Sequence, residues 1–192
     1  MKLLFVTNNA HKLEEIKEKA GNEIELLGLQ DAGIVEEIPE SGKTLEKNAS
    51  QKAWYVYKKY QMNCFADDTG LEIEALGGRP GVISARYAGE NASFDENIEK
   101  VLKEMKDQRN PNARFRTVIS LIINGKENQF SGEVKGKILK QKFGTRGFGY
   151  DPIFVPEGFQ QTFAEMELAE KNKISHRARA FNKLIGFIKQ LQ

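Results

Sequence analysis

The chain has 192 residues, 29% of them charged and 40% hydrophobic, with a formal net charge of +2. That length fits one domain or two closely joined lobes around a sizeable core, and the balance excludes a disordered chain. So small a charge excludes a surface built for nucleic acid or membrane, and the single cysteine, Cys64, excludes an internal disulfide.

Leu3 to Val6 reads as a compact apolar strand, too short for a secretory signal. No run approaches membrane-spanning length, so a cytoplasmic protein is expected. A polar turn, Thr7-Asn8-Asn9-Ala10-His11-Lys12, leads into a helix marked by Leu13, Ile16 and Ala20 and closed by Gly21 as its cap. Such a strand–loop–helix junction sets free backbone N–H groups and the helix dipole where an anion can sit, with Thr7, Asn9 and Lys12 beside them. Glu23 to Leu29 reads as a second strand, and Glu36 to Gly42 as an acidic loop broken by Pro39. Leu45, Ala49, Ala53, Val56 and Tyr60 recur at helical spacing, so Thr44 to Tyr60 forms an amphipathic helix with Lys52 near its apolar stripe.

The chain is organised around Ala66 to Gly89. Asp67 and Asp68 follow the apolar run Cys64-Phe65-Ala66, where a buried strand is expected to stop. Leu71, Ile73 and Ala75 then alternate with Glu72 and Glu74, a strand pattern. Gly77 to Gly81 is a loop needing glycine's backbone freedom. The acidic pair, with Arg79 and Arg86 downstream, could hold a metal and the phosphates it neutralises, or be a solvated turn.

Ser93 and Glu96 make a capping box for a helix whose apolar face is Phe94, Ile98, Val101, Leu102 and Met105. Ala113 to Ile123 and Asn128 to Ile138 are strands around an Asn124-Gly125 hairpin turn, placed at the sheet's centre. Phe143 to Pro152 holds three glycines among aromatics, a loop able to approach a ligand with Phe148 or Tyr150 stacking on a flat ring. Ile153 to Val155 is a short strand, and Thr162 to Leu168 a helical turn. From Ser175 a final helix carries Phe181, Leu184, Ile185, Ile188 and Leu191. His176 and Arg177 sit in its first turn, where the dipole disfavours cations, which points to an anionic ligand.

Four motifs stand in order: Thr7-x-Asn9-x-x-Lys12-x-x-Glu15, Ala66-Asp67-Asp68-Thr69-Gly70-Leu71, Gly147-Phe148-Gly149-Tyr150-Asp151-Pro152, and Glu170-Lys171 with Ser175-His176-Arg177. Together they resemble the inosine triphosphate pyrophosphatase family over nearly the whole chain. The resemblance implies a single domain over residues 1–192 with an elongated α/β fold: a long central mixed β-sheet, flanking helices and two lobes around a nucleotide-binding cleft. It also implies a homodimer, Mg2+ as cofactor, and hydrolysis of inosine, deoxyinosine and xanthosine triphosphates to monophosphate and pyrophosphate.

By position, the resemblance makes Asp68 the catalytic carboxylate and a metal ligand, with Glu40 the second ligand. Thr7, Asn9, Lys12 and Lys52 match phosphate contacts, and the substrate-binding set also takes in Asn8, Ala10, His11 and Thr69. Phe148, Gly149, Tyr150, Asp151, Lys171, His176 and Arg177 match the base pocket. There Phe148 is expected to stack on the purine while Arg177 and His176 donate to its 6-keto edge. Lys47 stands before Asn48 where many members carry glutamate, a departure that bears on the metal shell. The residues by themselves leave open a pyrophosphatase of other base preference, or a nucleotide- or RNA-binding module without turnover.

Overall fold

The computed structural model describes residues 1–20 and 24–191. Gly21, expected as a helix cap, and Glu23, the expected start of the second strand, lie outside them. Strand β1 (Lys2–Phe5), β2 (Glu25–Leu27), β3 (Cys64–Ile73), β4 (Asn112–Ile123), β5 (Lys126–Ile138) and β6 (Phe154–Pro156) form one sheet in the order β2-β1-β3-β4-β5-β6. β1 runs parallel to β2 and β3, whereas β5 and β6 are antiparallel, so the sheet is mixed. The helices are α1 (Ala10–Ala20), α2 (Leu45–Tyr60), α3 (Phe94–Met105), α4 (Leu168–Ile174) and α5 (His176–Gln190). Among the described residues no helix is long and apolar enough to cross a membrane.

The chain divides into two compact units. The first comprises Met1–Asp68, Thr117–Gly132 and Arg177–Gln192, and the second Thr69–Arg116 and Glu133–His176.

In the first unit, side-chain alternation along the strands builds two cores. Leu3 and Phe5 of β1, Phe65 of β3, and Ile119 and Leu121 of β4 pack with Ile16 of α1 and with Phe181, Leu184 and Ile188 of α5. Leu4, Val6, Cys64, Ala66 and Ile122 point the other way and pack with Ala53 and Val56 of α2. Burial on both faces explains why β1 reads as an unbroken apolar run rather than an alternation. Phe5 stacks on Phe65 at 4.5 Å, and Phe65 meets Phe181 at 5.9 Å. Leu191, counted on the α5 stripe, falls beyond the helix and is exposed.

In the second unit Leu71, Ile73, Phe115, Val134 and Phe154 pack against Ile98, Val101 and Met105 of α3. The opposite sheet face is charged: Arg114 binds Glu72 and Glu133, and Arg116 binds Glu72. The capping box of Ser93 and Glu96 forms as its sequence dictates. Phe94, expected on the buried face, is instead exposed and lies against Phe148, because the first residue of α3 precedes the turn that meets the core. Asn124 and Gly125 both take positive φ, as a two-residue turn between twisted strands requires. Thr162 to Glu167 forms turns rather than helix, and α4 follows it.

Candidate active site

The first unit positions its polar residues through β3. The strand does not stop at the acidic pair but runs on to Ile73, and residues 74–76 form a 3-10 turn that takes Ala75 out of the alternation. Asp67 and Asp68 are therefore consecutive positions within a strand, directed to opposite faces. Both are buried, so neither is part of a solvated turn.

Asp67 shares the side of Phe65 and faces α1 and α5. Lys12 Nζ donates to Asp67 Oδ1 at 3.0 Å, and Arg177 Nε donates to Oδ2 at 3.1 Å. Arg177 Nη1 donates to Glu15, itself buried on α1. Burial alone would raise the Asp67 carboxyl, but Lys12 and Arg177 outweigh it and hold it well below the usual carboxylate range. Lys12 is lowered by burial, with Lys52 and Arg177 adding to that and Asp67 opposing it.

Asp68 shares the side of Ala66 and faces α2. Asn48 Nδ2 donates to Asp68 Oδ2 at 2.9 Å. Burial, with the Glu40 charge close by, pushes the Asp68 carboxyl up to about 6 against the opposing pull of Lys52. Glu40 and Asp68 are within hydrogen-bonding contact, a distance at which two carboxylates share a proton or a cation. Lys52 Nζ donates to Glu40 Oε1 at 3.1 Å, and its attraction outweighs the burial that would raise Glu40, leaving that carboxyl lowered.

The turn before α1 is ordered by its own side chains. Asn9 N donates to Thr7 Oγ1 at 3.2 Å, and Lys12 N donates to Asn9 Oδ1 at 3.1 Å, so Asn9 caps the helix. Thr7, Asn8, Asn9 and Ala10 line a cavity of about 170 Å³ closed by Asp31. His11 points outward and is exposed.

In the second unit the glycine-rich loop folds around Asp151. Gly147 and Gly149 take φ of +72° and +61°, and a Cβ at Gly147 would run into the Asp151 carboxylate. Asp151 Oδ2 accepts from Phe148 N at 2.9 Å and from Lys171 Nζ at 2.5 Å. The same ammonium lies 5.0 Å from the centre of the half-buried Phe148 ring. Tyr150 is not free to stack: it is buried, its hydroxyl donating to Ser84 O at 2.8 Å. His176 is buried and stacks on Phe115 at 4.7 Å. Thr69 is half-buried in β3. Arg79 and Arg86 pair with Glu104 and Glu90.

Arg177 departs most from its expected place. At 2% exposure it is bound to Asp67 and Glu15, so the cation that seemed costly at a helix start is met by carboxylates inside the protein. Its ion pairs serve a strand carboxylate rather than an open base edge. The sequence named Glu15 only as a motif position and Asn48 only as a neighbour of Lys47. A glutamate beside the buried stripe of α1 was the one available signal, because its partner lies 162 residues away.

The Ham1 family model matches residues 3–187. The chain belongs to that family. The membership expected from the four motifs therefore holds. The chain is 53% identical over 189 residues to the dITP/XTP pyrophosphatase of Flavobacterium psychrophilum, covering 98% of this chain and 100% of that one. It is 52% identical over 188 residues to the dITP/XTP pyrophosphatase of Christiangramia forsetii, covering 98% and 99%. The Staphylococcus aureus Ham1 protein superposes with a TM-score of 0.90 at 36% identity over 100% of both chains. The family fold is the mixed sheet with flanking helices described above.

Proposed function

We propose that this chain hydrolyses the non-standard purine nucleoside triphosphates ITP, dITP and XTP to the monophosphate and pyrophosphate. Full-length relatives at about half identity, named dITP/XTP pyrophosphatases, support the reaction. The observation that carries it is the contact of Asp68 with Glu40, flanked by Lys52. Two touching carboxylates inside a protein call for a cation, and oxygen donors suit a hard one. Among the described residues no cluster of three or more such ligands occurs, which fits Mg2+, an ion that keeps several waters and binds through one or two carboxylates. When bound, Mg2+ would neutralise the phosphate chain and the departing pyrophosphate.

The protein's own groups have separable roles in this reading. Asp68, elevated to about 6, accepts a proton from the attacking water and orients it. Lys12 and Lys52 meet the charge that shifts toward pyrophosphate as the α–β anhydride breaks. Thr7 and Asn9 accept from backbone N–H groups, and their hydroxyl and amide protons can serve phosphate oxygens. Phe148 stacks on the purine and Lys171 meets its polar edge, in place of Arg177. A homodimer, a cytoplasmic setting and the absence of a nucleic-acid partner belong to the same reading.

The test is pyrophosphate release from ITP, dITP, XTP, ATP and GTP, with and without Mg2+. Release from the first three only, lost on chelation, is expected. Equal release from ATP and GTP would move the reading to another base preference. Binding without release would leave a nucleotide-binding module.

A further inference from the structure

Three consecutive loop residues are each held by a different side chain of α2. Lys52 binds Glu40, as described. Gln51 Oε1 accepts from Ser41 N at 2.9 Å, and Gln51 Nε2 donates to Ser41 Oγ at 3.1 Å. Asn48 Oδ1 accepts from Gly42 N at 2.6 Å. The three differ in what else they do. Lys52 and Gln51 hold only the loop, whereas the fully buried Asn48 also donates to Asp68. Its amide orientation follows from its partners, since only oxygen toward the Gly42 N–H and nitrogen toward the carboxylate satisfies both.

We propose that Asn48 is a positioning residue for hydrolysis, one amide tying Asp68 to the Gly42 turn and so setting Glu40 and Asp68 against each other. The inference rests on the reading of that pair as the metal-holding carboxylates. Like charges at hydrogen-bonding distance separate unless their backbones are tied. An amide is suited to the task because it orients a carboxylate without neutralising it. A lysine in its place would consume the charge, as Lys12 and Arg177 do at Asp67. Gly42 completes the tie: a Cβ there would lie 2.6 Å from Asn48 Oδ1 and 2.8 Å from Lys47 Cβ. Only glycine lets the turn approach this closely.

The test compares Asn48→Ala, Gly42→Ala and Asp68→Asn, each first checked for folding by circular dichroism. Asn48→Ala should lower kcat by about 10–100-fold, the usual effect of losing a partner of a metal-binding group, with KM within about threefold. It should also reduce the rise in melting temperature that Mg2+ alone gives the wild type. Gly42→Ala leaves every polar group in place and should reproduce both effects, and it carries the test if Asn48→Ala does not fold. A purely structural role would lower melting temperature in both variants but leave kcat per folded molecule and the Mg2+ response unchanged. Folded variants with kcat within about twofold of wild type would therefore overturn the proposal. Asp68→Asn separates the two levels. If it stays active, the reading of the carboxylate pair fails. If it is inactive while Asn48→Ala turns over normally, only the role of Asn48 fails.

Discussion

Asp67 and Asp68 share a residue type, a strand and near-complete burial, yet their surroundings drive them apart. On the face toward α1 and α5, two cations clasp Asp67 and lower its carboxyl. On the face toward α2, a neutral amide and a second carboxylate meet Asp68, which stays at about 6. A carboxylate neutralised by its neighbours supports structure. One that is oriented but left with its charge can bind a cation or take a proton. The contrast shows how adjacent residues divide stability from chemistry.

The comparison breaks most severely at Asp67. Asp67→Asn leaves the buried Arg177 and Lys12 facing a neutral group, and should lower stability by about 3–5 kcal/mol. Urea unfolding would measure this, and a loss indistinguishable from zero would mean Arg177 does not depend on Asp67. Asp68→Asn should do the reverse: about 10²-fold or greater loss of kcat with no loss of stability. Held at about 6 against an ordinary 3.8, the wild-type carboxyl costs up to about 3 kcal/mol of stability at neutral pH. The native state binds the extra proton between those values, so the penalty is complete above about 6 and vanishes as pH falls toward 3.8. The mutant's advantage in melting temperature should shrink over the same window. Asp67, being lowered, contributes stability above the ordinary carboxylate range and loses it only in stronger acid.

The lysines sharpen the contrast at smaller scale. Lys12→Ala and Lys52→Ala should each weaken triphosphate binding by about tenfold, and monophosphate binding less, since fewer charges remain to be met. Lys12→Ala alone should also lower stability, because it removes a partner of Asp67. Calorimetric titration and melting curves on both variants would separate the effects, and equal weakening for the two ligands would remove the phosphate role. The smallest expected effect is at Thr44, whose side chain accepts from Lys47 N at the start of α2. Thr44→Ala should cost about 1 kcal/mol, read by urea unfolding, with little change in kcat.

Elements with strong local signals were legible in the sequence. β1, α2, the capping box at Ser93 and the Asn124-Gly125 hairpin all rest on patterns within a few residues. So did the identity of the site carboxylates and lysines, since their motifs are local too. The face each one occupies was not legible. Ending the strand before Asp67 hid the alternation that separates it from Asp68, because carboxylates read as strand breakers until their buried partners are known. Arg177 was misread for the same reason: the dipole cost at its helix start is local, while its partners Glu15 and Asp67 come from distant parts of the chain. Tyr150 looked like Phe148 within its loop, and only its bond to Ser84 distinguishes them.

The alternation along β3 also governs which changes this gene segment can accumulate over evolutionary time. A substitution alters one side chain and is felt in degrees. Deleting or inserting one codon between Phe65 and Asp67 would slide the strand by a single position and exchange the two faces. The clasped carboxylate would then be presented to α2 and the oriented one to Arg177, an inversion that no single further substitution repairs. Length in this stretch is therefore under tighter selection than identity, and natural variants should tolerate replaced residues here far more readily than a shifted frame of faces.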